Sequence, residues 1–247
     1  MPTDKEIIAK LKITPKDRVL DVGGSMKQYE IIKVDTLVDI IRPEEAPYTA
    51  SKLKAKNFVR LDVTRENFPF ADKEFDICLC THTLEDLSDP SFAMREMARV
   101  AKRGLIVTPS MGRDMLFSHI DYTDWLTGAR RIPGQAHHKW FFQKKADTLI
   151  IIPKNYPLLY TRSFGLVKWL GEAELEFFWE GEIKYFKVSD IDIHKLADTY
   201  REFIEENSHA IKIGKPMFFL DSPYFWLKAV IKLLFKKGIG YKKRESI

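Results

Sequence analysis

The chain of 247 residues predicts an α/β fold: a doubly wound, mostly parallel sheet of seven strands, finished by a C-terminal antiparallel hairpin and interrupted by an inserted cap. Three observations carry this. Short, continuously apolar runs recur at residues 18–22, 36–40, 58–61, 75–80 and 105–108, the pattern of strands covered on both faces. Between the last two, Asp89-Pro90 opens a stretch in which Ala93, Met97, Val100 and Ala101 share one helix face. Strand, helix and strand of this length make a right-handed crossover. The first strand passes through Asp21 and breaks into Gly23-Gly24, a turn whose backbone can run close beneath a bound group.

Taken in order, residues 4–13 predict a short helix ended by the Thr14-Pro15 turn. The strand at 18–22 is followed by a helix over 26–32, whose amino end faces the glycine turn. Strands at 36–40, 58–61 and 75–80 come next, and Gly104 closes the helix before the strand at 105–108. Beyond Pro109 the pattern mixes. Residues 139–142 and 148–152 pair as a hairpin, and residues 175–179 and 183–188 flank Glu180-Gly181-Glu182 as a second. The second pair is expected to finish the sheet, and the region around His137 to cap the site. Ser189 and Asp192 resemble a capping box opening a helix through Asn207.

Composition narrows the class. With 45% apolar and 30% charged residues the chain reads as globular. Cys78 and Cys80 lie two apart on one predicted strand, where they cannot easily bridge, so a reduced, intracellular setting is expected. They lack the further Cys or His spacing of a zinc site, and no metal is expected. No basic-then-apolar leader opens the chain, and no apolar run approaches the roughly 18 residues of a spanning helix. The net charge is +5, but residues 228–247 hold seven basic side chains and one acid, leaving −1 for the rest. That near-neutral body disfavours a nucleic-acid groove.

Asp21 with Gly23-Gly24, Asp39 ending the second strand, Asp62-Val63 after the third, and Phe68-Pro69-Phe70 leading to Phe75-Asp76 form an ordered set. The set resembles the Rossmann-like core of class I S-adenosylmethionine-dependent methyltransferases, in the branch that modifies small molecules. The resemblance covers residues 16–110 and implies S-adenosyl-L-methionine as cofactor. It implies that Asp21, Gly23 and Gly24 form the glycine-rich loop, that Asp39 accepts both ribose hydroxyls, and that Asp62 and Val63 read the adenine edge. Thr81 and His82 match the loop after the fourth strand. Ser25 and Lys27 stand where the family pattern commonly has further glycines, and Asp86 stands where many relatives have histidine.

Such chemistry is an in-line transfer of methyl from a sulfonium, for which a hydroxyl acceptor needs a base. His137, His138 and His119 are the candidates, because imidazole titrates near neutrality. Adjacent histidines on an extended segment point to opposite faces, so one of His137 and His138 at most is expected in the site. The expected acceptor is a small molecule, a glycan or a lipid-linked intermediate, methylated on oxygen; the alternatives are a methyltransferase-like binding or scaffold protein without catalysis, and an RNA methyltransferase. An enzyme domain over residues 1–221, with a cap at about 111–160, is expected, followed by a basic amphipathic helix and tail at 222–247. Lys228, Lys232 and Lys236 form one stripe on an otherwise apolar helix of about 21 Å, too short for the roughly 30 Å hydrocarbon core. That helix suits either an anionic membrane surface or packing on the protein or a partner subunit, a second copy included. The expected location is cytoplasmic, with attachment at the inner membrane face as the tail's alternative.

Overall fold

The computed structural model describes residues 2–47, 49–118, 132–159, 164, 166 and 168–212. Helix α1 (Asp4–Leu11) begins in a capping box: Thr3 Oγ1 accepts the Glu6 N–H, and the Glu6 carboxylate accepts the Thr3 N–H at 2.7 Å. Its buried face, Ile7 and Leu11, packs with Val19, Ile77, Leu79, Leu105 and Val107 on one side of the sheet.

Strands β1 (Val19–Val22), β2 (Thr36–Asp39), β3 (Asn57–Arg60), β4 (Phe75–Thr81) and β5 (Ala101–Pro109) all run parallel where they pair. Three more follow: β6 (Trp140–Lys145), β7 (Thr148–Pro153) and β8 (Glu174–Glu180). The central sheet has the order β8-β5-β4-β1-β2-β3, with β8 antiparallel to β5. It holds six strands among the described residues, where seven were expected. The difference lies in the second hairpin. Strand β9 (Tyr185–Lys187) does not return along β8; it pairs parallel with β7, forming a three-stranded sheet with β6. The turn at Gly181 is fixed elsewhere, its N–H donating to Lys102 O at 2.7 Å and its carbonyl accepting from Lys73 Nζ at 2.7 Å. This carries Ile183 into the core and the chain away from the sheet edge.

Local departures have local causes. The helix expected over 26–32 is absent; one 3-10 turn at Gly24–Met26 is followed by bends. The Asp4 carboxylate accepts the N–H groups of Glu30 and Ile31, at 2.7 and 2.6 Å, which an α-helix would have satisfied internally. Helix α2 (Pro90–Val100) is capped by Asp89, whose Oδ1 accepts the Ser91 N–H at 3.1 Å, but it ends at Val100 rather than at Gly104. Gly104 lies inside β5, where a Cβ would run into the Cys78 carbonyl oxygen and the Trp179 ring. It is a close-approach glycine, and its cap role is withdrawn. Helix α4 (Ile193–Glu206), after the short α3 (Met111–Asp114), is capped by Asp192 alone, and Ser189 instead accepts from the Ile191 N–H.

The Phe68-Pro69-Phe70 segment is held by a clamp on α2. Glu96 accepts the Phe68 N–H at 2.7 Å, while Arg99 donates to the carbonyls of Phe68 and Phe70, each at 2.8 Å. The β6–β7 hairpin forms as expected and is buried on both faces. Phe142 and Ile151 join the sheet core; Phe141 and Ile152 enter a second core with Met111, Met115, Tyr200 and Phe203. Helix α4 completes that second core. Cys78 and Cys80 are free core thiols. No helix among the described residues is long and apolar enough to cross a membrane. The tail helix expected after residue 222 lies outside the described residues.

Replacing Gly104 tests the close approach. Gly104→Ala is expected to cost about 2 kcal/mol through overpacking and to lower Tm by about 5 °C, measured by calorimetry. An unchanged Tm would mean that β4 and β5 have slack the packing denies.

Candidate active site

The parallel register delivers the carboxyl ends of β1, β2 and β4 side by side. Gly23 turns there with φ +78° and donates its N–H to Val38 O at 2.8 Å, tying the β1 end to β2. A side chain at Gly23 would overlap Thr83, and one at Gly24 would overlap the Asp21 carboxylate. Thr83 Oγ1 lies 3.4 Å from the carbonyl oxygens of Val22 and Gly23, so the loop after β4 rests on the glycine turn. A small, backbone-lined edge results.

Asp39 sits at this edge, partly buried. Its Oδ2 accepts the Ser25 N–H at 3.0 Å and its Oδ1 the Ile41 N–H at 3.4 Å. Each oxygen keeps acceptor capacity for a further donor, such as a diol hydroxyl. The buried Ser25 is explained too, because its hydroxyl donates to Ile41 O at 2.7 Å and locks the turn that glycines would otherwise leave loose. Met26 and Ile40, which follow Ser25 and Asp39 in the chain, are large apolar side chains left 42% and 58% exposed, and the sequence did not single them out. The signal was available in retrospect: Ile40 extends the β2 apolar run one residue past its acid.

Asp21 is placed differently from expectation. It is buried beneath the Gly24–Met26 turn and borders a cavity of only about 10 Å³ that Gln28 and Tyr29 also line. A larger cavity of about 480 Å³, lined by residues 2–5 and 27–31, shares Gln28 and Tyr29 with it. Asp21 Oδ1 has no hydrogen-bond partner among the described residues. Burial, reinforced by Asp39, pushes the Asp21 carboxyl up to about 8. Asp62 is spent on its own turn. Its Oδ1 accepts from the Thr64 N–H and hydroxyl, and Oδ2 pairs with Arg65 at 2.7 Å. Thr64 above all holds the Asp62 carboxyl below its usual range. Val63 is a core side chain, and Thr81 is buried with its Oγ1 accepting from Tyr29 at 3.4 Å.

His82 adopts φ +51° and points sideways between two acids, its ring nitrogens 3.3 Å from Glu85 and 3.0 Å from Glu174. Glu85 first, then Glu174, raise its pKa against the effect of burial. The ring thereby joins the β4 loop to β8 through Glu85 and Glu174.

The histidine pair overturns one expectation. Residues 135–138 form a turn, not an extended segment, closed by the His138 N–H donating to Gln135 O at 3.3 Å. Both rings therefore fall on one side. The Nε2 atoms of His137 and His138 lie 3.8 and 4.0 Å from Asp86 Oδ1, and the rings meet edge to face at 4.7 Å. His138 is 5% exposed, and its Nδ1 lies 3.0 Å from Asp114 Oδ1, within ion-pair reach but off the line of a hydrogen bond. Asp114 in turn pairs with Lys154 Nζ at 3.0 Å, and Lys154 also donates to Gln135 O at 2.8 Å. Burial would raise the Asp114 carboxyl, but His138 and Lys154 hold it low; burial lowers the Lys154 ammonium against Asp114. Asp114 and Lys154 were not foreseen, because 40 residues separate them and each looks like a surface charge in sequence. His119 lies outside the described residues.

The glycine turn, the acid with spare acceptor capacity and the exposed apolar pair fit an adenosyl group. The Asp62 carboxylate is engaged by Thr64 and Arg65, and the Val63 side chain enters the core. Residues 22–108 match the family model described as a methyltransferase domain. An uncharacterized methyltransferase of Bacillus subtilis, YcgJ, is 32% identical over 111 residues, which are 41% of this chain and 40% of that protein. The chain thus spans well under half the length of the curated relative it matches. The YcgJ crystal structure superposes with a TM-score of 0.31 at 23% identity, covering 42% of this chain and 48% of that one. A methyltransferase structure from Aquifex aeolicus gives 0.35 at 23% identity, covering 50% and 74%. Strand order and glycine turn agree with that match, so residues 22–108 resemble a methyltransferase domain.

Proposed function

We propose that this protein transfers a methyl group from S-adenosylmethionine to an oxygen of a small molecule, a glycan or a lipid-linked acceptor. The observation that carries the reading is the family match over the same edge where Gly23 turns beside Asp39. S-adenosylmethionine supplies a methyl already activated on a sulfonium, so the protein's task is alignment, exclusion of water and proton removal. Asp39 accepts from the ribose diol, Met26 and Ile40 give the base an apolar face, and the Gly23 backbone passes beneath. Asp21 works from below, as the buried acid that shapes the Gly24 turn.

The acceptor side is the Asp86–His137–His138 cluster. It stands one turn from the glycine edge, since Asp86 N–H donates to Thr83 O at 3.1 Å. Removal of the acceptor's proton is assigned to this cluster, with Asp114 positioning the His138 ring. The near-neutral body of the chain favours such acceptors over nucleic acid. Attachment to an anionic membrane through the basic tail would suit a lipid-linked acceptor and a cytoplasmic protein.

Three measurements bear on this. Calorimetry should show micromolar binding of S-adenosylmethionine and its demethylated product, weakened about tenfold or more by Asp39→Ala; equal affinity would remove Asp39 from the site. Asp21 adds a pH signature. Its folded-state pKa lies above its unfolded value, so the folded form holds the extra proton between about pH 4 and 8. Stability of the ligand-free protein should fall as pH rises through that window and level off above it. Asp21→Asn should flatten the profile; a parallel pair of curves would mean Asp21 is ionised in the fold. Finally, His138→Ala should lower kcat about a hundredfold while leaving cofactor affinity intact. Full turnover in that variant removes the cluster from proton transfer.

A further inference from the structure

We propose that Asp86, His137 and His138 bind one divalent transition-metal ion, Zn²⁺ foremost, with coordination positions left open on the acceptor side. This rests on the reading of the cluster as the acceptor side and states how it acts. The three ligand atoms, one from each residue, lie within 4.8 Å of one another. Two imidazole nitrogens and a carboxylate oxygen are the donor set of open catalytic sites, with bond lengths of about 2.0–2.2 Å. Four-coordinate geometry puts such donors about 3.4 Å apart, so closing onto an ion shortens these gaps by up to about 1.4 Å, roughly 0.7 Å for each side chain.

Four features make this a built site rather than a chance meeting of side chains. Asp86 Oδ1, the oxygen both rings approach, is buried and accepts no hydrogen bond among the described residues. A cation supplies what that atom lacks. His138 has its Nδ1 edge 3.0 Å from Asp114 Oδ1, out of line for a hydrogen bond, which leaves the Nε2 edge for a ligand role. Lys154, fully buried, holds Asp114 at 3.0 Å and so fixes that carboxylate. The turn carrying the histidines is fastened to the Asp86 loop. Lys139 N–H donates to Glu85 O at 2.7 Å, Lys139 Nζ to Asp86 O at 2.7 Å and Trp140 Nε1 to Leu87 O at 2.8 Å.

The sequence hid this site because its ligands come from segments about 50 residues apart, and the adjacent histidines read as diverging. An ion held by three protein donors keeps room for an acceptor hydroxyl. It would lower the pKa of that hydroxyl, whose proton passes to water, leaving an oxygen nucleophile for the methyl carbon. The histidines then act as ligands rather than as free bases.

The test uses the full chain, freed of metal by a chelator and titrated with Co²⁺ and Zn²⁺ by calorimetry and visible absorption. One equivalent of Co²⁺ should bind with micromolar affinity and develop d–d bands that Zn²⁺ displaces. His137→Gln and Asp86→Asn should each weaken binding at least tenfold. His137 is the decisive position, because its side chain is 61% exposed and its loss should leave the fold intact, as circular dichroism would check. Absence of saturable binding up to about a hundred micromolar, or unchanged affinity in both variants, overturns the site. Affinity for S-adenosylmethionine, measured on the same metal-free samples, reads the proposed function separately and should not follow the metal.

Discussion

The β6–β7 hairpin is buried on both faces, and much of the molecule depends on that. Alternate side chains along β6 and β7 enter different cores: Phe142 and Ile151 reach the sheet, while Phe141 and Ile152 reach the layer completed by α4. A strand pair whose centre is buried on both faces cannot slip register by one residue, since Phe141, Phe142, Ile151 and Ile152 would all change sides. The hairpin therefore fixes where Lys139 and Trp140 begin and where Lys154 ends. Those residues reach the loop after β4 and Asp114. Packing thus sets the distance between the histidine turn and the glycine edge.

The central sheet was legible because its information is local. Short apolar runs bounded by Asp or Pro, and a helix opened by Asp89-Pro90, state their own conformation. What escaped depended on partners far along the chain. The segment at 26–32 has helical composition, yet the Asp4 carboxylate takes its N–H groups. The residues after Gly181 look like a returning strand, but Lys73 and Lys102 hold the turn toward other elements. Gly104 reads as a helix stop; only the neighbouring Cys78 carbonyl and Trp179 ring show why it is small.

The site divides along the same line. Gly23 and Asp39 lie where the strand ends predict, one turning with φ +78° and the other holding the Ser25 and Ile41 N–H groups. Asp21 and Asp62 carry the same signals, but their surroundings differ, one buried under a turn and the other folded onto Thr64 and Arg65. The histidine pair was visible as a pair, but its convergence depended on a turn. Asp114 and Lys154 are charges that acquire meaning only when buried together, because an ion pair out of water persists where further hydrogen bonds satisfy both partners.

The sheet order also governs what the molecule can do at its margins. β3, one of the two outer strands, is four residues long and ends in Arg60, with Lys56 just before it. A brief strand flanked by cations makes a poor template for continuation by another chain. Self-association by extending the sheet on that flank is discouraged by its own chemistry, which leaves crowded expression conditions less hazardous for this fold than an open parallel sheet would suggest.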